Sequence, residues 1–287
     1  MPHDAANAEM SQFWNAAAGE AWVAQQDALD LQLEPLGSRA AARAAIARGE
    51  QVLDIGCGCG TTTLAIARLV APSGRVAAVD ISEPMLARAQ RRAREAGLDG
   101  SIEWMRADAQ TAALGEARFD CAFSRFGVMF FSDPAGAFRN VARALRTGGR
   151  VAFVCWQARE RNPWFTAPAR AAAQHVALPA PPAPDAPGPF AFADPARVRA
   201  ILGTAGLADV AIEAYEEPMR LAGGDLEGAL ALTLLVGPLG AALREANASE
   251  AQRERVVAAV RASLEQFLTP RGVEAPAAAW IVSARRP

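Results

Sequence analysis

The chain has no lysine, one tyrosine, two histidines and four cysteines in 287 residues, and these scarcities narrow what it can do. Without lysine, all 29 basic residues are arginines set against 31 acidic ones, and a formal net charge of -2 offers nucleic acid no broad basic surface. Arg88, Arg91, Arg92 and Arg94 gather in one expected helix, where a solvated outer face accounts for them. Cys57, Cys59, Cys121 and Cys155 are too few for a disulfide framework in a chain this long, and no second pair stands at zinc spacing, so no metal site is expected. Cys57 and Cys59 read either as small reduced loop residues or as a reactive pair. No run of eighteen apolar residues is free of charge and proline, and the opening MPHDAANAEM has no basic-then-apolar signal pattern. A cytoplasmic chain with no membrane span is the expectation.

Apolar residues make up 52% of the sequence, enough for a substantial α/β core. The most informative stretch is QVLDIGCGCGT, Gln51 to Thr61: a short buried strand ending in Asp54-Ile55, then Gly56, Gly58 and Gly60 at alternate positions, then a helix from Thr61. Glycines in a strand-to-helix turn supply positive φ and let a ligand approach bare backbone. Asp54 would repel a pyrophosphate, and the spacing G-x-G-x-G is neither the dinucleotide fingerprint nor a phosphate loop. A cationic ligand fits that carboxylate better. A second strand, Arg75 to Asp80, places another carboxylate about twenty residues on, where it can accept hydrogen bonds from a ribose diol.

An acidic residue followed by G-x-G-x-G resembles the first motif of the class I S-adenosylmethionine-dependent methyltransferases, most similar here to the ubiquinone and menaquinone-biosynthesis type. Thr147-Gly148-Gly149 stands where that family has Pro-Gly-Gly before its fifth strand. The resemblance implies a doubly wound, seven-stranded, mostly parallel sheet of order 3-2-1-4-5-7-6 with the last strand antiparallel. It implies S-adenosyl-L-methionine as cofactor, S-adenosyl-L-homocysteine as product and a small-molecule methyl acceptor as partner. Its cofactor-binding positions fall on Asp54, Gly56, Gly58, Gly60, Thr61, Asp80, Ile81, Met85, Asp108, Ala109, Ser124 and Phe126. Met85 reads equally as core filler, and Asp108 as an exposed turn residue.

Outside the motifs, residues 1–48 are helical in character, with a separate helix over Ser38 to Arg48; they read either as helices packed on the sheet or as a lid, and the family resemblance implies the lid. The remainder, 49–287, reads as one Rossmann-like domain with insertions at about 157–193 and 217–275. Helices are expected from about Asp225 to Ala246 and Glu250 to Leu268, and closing strands over Ala208 to Tyr215 and Ala277 to Arg285. The proline-rich LPAPPAPDAPGPF reads as a loop over the site or a surface connection. Trp14, Trp22, Phe126, Met129, Phe130 and Trp164 are the expected acceptor-pocket walls, or else ordinary packing. Base candidates are thin: His175 in a variable segment and Tyr215 at a strand end, with His3 near the terminus. Two other functions share these features: a protein that holds the cofactor without turnover, and an NAD-type oxidoreductase.

Overall fold

The structure, a computed structural model, describes residues 7–180, 182–246 and 248–287; His3 lies outside them. Five parallel strands form its centre: β1 (Gln51–Ile55), β2 (Arg75–Asp80), β3 (Ile102–Arg106), β4 (Phe119–Arg125) and β5 (Leu145–Trp156). β6 (Ala208–Arg220) and β8 (Gly272–Arg285) complete the sheet, in the order β3-β2-β1-β4-β5-β8-β6, with β8 antiparallel to both neighbours. This is the expected order, plus a two-residue strand β7 (Leu268–Thr269) that hairpins onto β8. β1 and β2 are apolar between their ends apart from Asp54, because helices cover both faces, and every residue from Val52 to Ile55 and from Val76 to Asp80 is buried.

Helices α4 (Thr61–Val70), α5 (Glu83–Glu95) and α6 (Pro134–Ala144) make the crossovers after β1, β2 and β4. The chain leaves β1 toward β2 on one side, while β4 lies on the other, so a crevice opens between their carboxyl ends.

Before the sheet come α1 (Ala8–Asn15), α2 (Ala17–Ala24) and α3 (Gln26–Ala44). The expected break before Ser38 is absent: α3 runs through Pro35. Proline there leaves the Leu31 carbonyl without a helical partner, but Pro35 and Leu31 both face solvent, where water can satisfy it. The opposite face carries Leu29, Leu33, Leu36, Ala40 and Ala44 at helical spacing and packs on β5 and β8. Gly37 on this face lies against Arg125, whose Cδ would be 3.0 Å from an added Cβ.

The segment after β5 contains α7 (Pro163–Ala172), a helix not expected from the sequence. Pro163 occupies its first turn, where a missing N–H costs nothing, and Asn162 anchors it by bonding both the N–H and the C=O of Ala278. The described part of the proline-rich stretch forms turns without helix or strand. α8 (Pro195–Thr204) leads into β6. β6 and β8 run five residues further than expected at the Arg220 and Gly272 ends. Between them lie α9 (Leu226–Leu235), α10 (Gly237–Glu245) and α11 (Glu250–Glu265); the single helix expected over the first two is interrupted at Gly237, with φ +79°. No described helix is long and apolar enough to cross a membrane.

Candidate functional site

The glycine loop is fastened to the end of β2. Gly56 and Cys57 both donate their N–H to the Val79 carbonyl, at 2.9 and 3.2 Å. Gly58 N–H donates to Asp80 Oδ2 at 2.7 Å, and Ser82 N–H to Asp80 Oδ1 at 2.8 Å. One buried carboxylate thus orders both the loop and the following turn. Burial raises the Asp80 carboxyl above its usual range, opposed by those amides. Its remaining lone pairs are the ones a ribose could use.

A crevice of about 110 Å³ opens above this loop. Gly56, Gly58, Asp80, Ile81, Met85, Asp108, Ala109 and Phe126, all anticipated from the sequence, line it. Gly56 and Gly58 present bare backbone here from φ +64° and +55°. An added Cβ would fall 2.8 Å from Gly127 Cα at the first and 3.0 Å from Met85 Cε at the second. Burial also raises the Asp108 carboxyl.

Four other anticipated residues lie outside the lining. Gly60 is required by packing, since its Cβ would sit 2.9 Å from Ala89 Cβ. Ser124 is fully buried, donating to the Ile55 carbonyl at 2.8 Å and accepting from Gly127 N–H. Thr61 turns toward α3 and donates to Asp30 Oδ2 at 2.5 Å. Asp54 sits beneath the loop at 0% exposure, with Oδ2 accepting from the Thr62 and Thr63 hydroxyls at 2.9 and 2.6 Å. Its Oδ1 has no partner among the described residues, and burial pushes its pKa up to about 6.

The negative charge that does reach the crevice from this side is Asp30 of α3, facing Arg125 at the end of β4 with Nη2 to Oδ1 at 3.0 Å. Gln26 donates to Asp30 Oδ2 at 2.8 Å, and Arg92 stands 3.6 Å away. Burial works to raise the Asp30 carboxyl, but Arg125, Thr61 and Gln26 together bring it below its usual value. Arg92 also holds the Cys59 carbonyl at 2.7 Å, and Arg88 bonds Gln26 at 2.8 Å. The outer face expected for the arginine cluster therefore applies to Arg91 and Arg94 alone. Arg88 and Arg92, one helical turn apart, turn inward instead, Arg88 to Gln26 of α3 and Arg92 to the loop carbonyl of Cys59. No local pattern in α3 announces Asp30, which matters only because the fold brings it to Arg125.

Helices α1 and α2 roof the crevice. Ser82 Oγ donates to the Trp14 carbonyl at 2.8 Å instead of capping α5, and Asn15 Oδ1 accepts from Glu83 N–H in its place. Trp14 packs edge-on against Trp22 and Phe130, at 5.7 and 5.1 Å between centroids. Cys57 and Cys59 also face the crevice, but burial drives both thiols up, Cys59 to about 12, which opposes the reactive thiolate pair.

A second cavity, of about 720 Å³, adjoins the first and is lined mainly by apolar side chains from α3, α7, α9, α10 and the proline-rich stretch. Trp22, Phe126 and Phe130 line both spaces. Met129 and Trp164 line the large cavity only, whereas Trp14 lines the small crevice only, so the aromatic set grouped from the sequence divides in two. Trp156, Phe165 and Phe190, not singled out from the sequence, extend the aromatic wall. His175 and Tyr215 line neither space: His175 follows α7, and Tyr215 pairs with Ala279 across β6 and β8. Glu160 is the carboxylate at the large cavity, and it is exposed.

Residues 52–149 match the family described as a methyltransferase domain. The ubiquinone/menaquinone biosynthesis C-methyltransferase of Cronobacter sakazakii is 35% identical over 106 residues, covering 37% of this chain and 42% of that protein. The chain thus spans about two fifths of the length of the curated relatives it matches. Among solved structures, a candidate methyltransferase from Bacillus halodurans superposes with a TM-score of 0.56 at 17% identity, over 87% of this chain and 98% of that one. Phosphoethanolamine N-methyltransferase 2 of Haemonchus contortus, solved in complex with S-adenosyl-L-methionine, gives 0.54 at 17% identity over 88% of this chain and 52% of that one. These two likenesses speak to the fold.

Proposed function

We propose that this chain, whose residues 52–149 match a methyltransferase domain, is a class I S-adenosylmethionine-dependent methyltransferase that transfers a methyl group to a small apolar or aromatic molecule held in the large cavity. The observation that carries this reading is the shared wall of Trp22, Phe126 and Phe130, which brings a bare-glycine crevice and an aromatic-lined cavity together. The crevice fits the cofactor by its chemistry: the glycine backbone of Gly56 and Gly58 in its lining, and the Asp80 and Asp108 carboxylates at its nucleoside end. S-adenosylmethionine, when bound, supplies an electrophilic methyl on a sulfonium.

The work left to the protein is alignment and exclusion of water. Effective molarities of roughly 10⁵ to 10⁸ M are available to well-oriented reactants. The roof of α1 and α2 acts as a lid, and the aromatic walls bury large area with few rotatable bonds. With His175 and Tyr215 away from both cavities, an acceptor that is already nucleophilic, such as a phenolate, thiolate or amine, suits the site best. Incubation with methyl-labelled cofactor and a panel of aromatic acceptors tests the reading. Label in an aromatic product supports it. Binding of S-adenosylhomocysteine with no transfer across the panel would favour a cofactor-binding protein without turnover.

A further inference from the structure

The structure assigns the recognition of the cofactor's amino-acid end to Asp30 and Arg125, an inference that rests on the cofactor reading above. An amino acid carries an ammonium and a carboxylate on one carbon, so its natural seat is a carboxylate and a guanidinium side by side. Asp54, the carboxylate the motif offers for the ammonium, is wholly buried beneath the loop and does not line the crevice. Asp30 and Arg125 do line it, next to Gly56, Gly58 and Thr62 at the loop.

Their geometry is set before any ligand arrives. Thr61 and Gln26 fix Asp30 Oδ2, while Asp30 Oδ1 holds Arg125 Nη2. Arg125 is pressed against Gly37 of α3. That bond engages one of the five N–H donors of the guanidinium, and each Asp30 oxygen has more than one lone pair. A zwitterion can therefore lie antiparallel to the pair, its ammonium on Asp30 and its carboxylate on Arg125, without either protein group giving up its partner. Both side chains are mostly buried, at 18% and 13% exposure, so water screens the contacts weakly. Asp30 lies outside the matched segment 52–149, so the glycine-loop domain and α3 would each supply one half of the seat.

Calorimetry on the full chain with S-adenosylhomocysteine and with methylthioadenosine, which keeps the nucleoside and sulfur but lacks the amino-acid end, isolates this contribution. Wild type should prefer the former by about tenfold or more, the range of charge-assisted hydrogen bonds. Asp30→Asn and Arg125→Gln should each erase most of that preference while methylthioadenosine affinity stays within about twofold, and Arg125→Lys should restore part of it. An unchanged preference in both variants overturns the assignment. So does an equal loss for both ligands with a lowered melting temperature, which would make the pair an interior clamp. Failure of wild type to bind either nucleoside would remove the cofactor reading itself, and this inference with it.

Discussion

Phe126 lies flat on Trp156, ring centroids 4.3 Å apart and planes 19° apart, from a backbone φ of +61°. A bulky residue held there costs about 1–3 kcal/mol. It persists because its own N–H donates to the Val154 carbonyl at 3.2 Å and the next N–H to Ser124 Oγ at 3.1 Å. The strain aims one ring at the boundary of both cavities, which makes the aromatic residues separable by experiment. Trp164→Ala should raise the acceptor KM by about tenfold with S-adenosylhomocysteine affinity nearly unchanged. Trp14→Ala should do the reverse, and Phe126→Ala should impair both. Steady-state kinetics and calorimetry on the three variants check this; the same profile in all three would show that the two spaces are not distinct sites.

Gly58 and Gly60 differ in what surrounds them, so their alanine variants should differ in kind. A Cβ at Gly60 meets Ala89 Cβ at 2.9 Å and Ala89 Cα at 3.3 Å, neighbours that cannot swing away. At Gly58 it meets only the flexible end of Met85, in the lining of the crevice. Both carry the left-handed backbone penalty of about 1–2 kcal/mol per residue. Gly60→Ala should therefore lose more melting temperature, and Gly58→Ala more ligand affinity. Thermal melts with and without S-adenosylhomocysteine distinguish them.

Asp54 should make the fold less stable as pH rises. Its folded pKa of about 6 lies above the ordinary 3.8, so the folded chain holds the proton more tightly than the unfolded one. Stability from this group is present in full below 3.8 and falls through the interval up to about 6, by about 3 kcal/mol. Asp54→Asn should remove this slope. Urea unfolding of both forms at intervals from acid to neutral pH measures it, and parallel curves would mean that Asp54 ionises freely.

All four cysteines are buried, and burial raises every one of their thiols. Ellman's reagent at mildly alkaline pH should find almost no fast-reacting thiol in the native chain and four after denaturation. Rapid native modification of one or two would revive the reactive pair at Cys57 and Cys59.

The sequence was most legible where function and local geometry coincide. The start of helix Thr61–Val70 and both ends of strand Arg75–Asp80 are where the sequence reading put them, because the glycines before Thr61 and Pro72 and Gly74 before Arg75 punctuate the chain directly. α3 was cut short in the reading because Pro35 and Gly37 are breakers locally. In the fold one faces water and the other makes room for Arg125. Asp54 was read as a ligand because its distance from the glycines is visible in sequence, while its depth is not. Asp30, Arg92 and Arg125 come from three separate elements, and only tertiary structure brings them together.

The paired ends of β6 and β8 bear on how such a protein could change its acceptor. Arg220 and Glu274 are cross-strand partners, and everything between them, including the α9 and α10 walls of the large cavity, leaves and returns at that one rung. The register of β6 on β8 is set by the eleven pairs from Ala208↔Arg285 to Arg220↔Glu274, none of which lies within residues 221–273. Closing a longer or shorter excursion costs only about 0.6 kcal/mol per doubling of length. On the proposed function, exchange within residues 221–273 would reshape the α9 and α10 walls of the acceptor pocket while the glycine loop and its carboxylates, carried by β1 and β2, stay as they are.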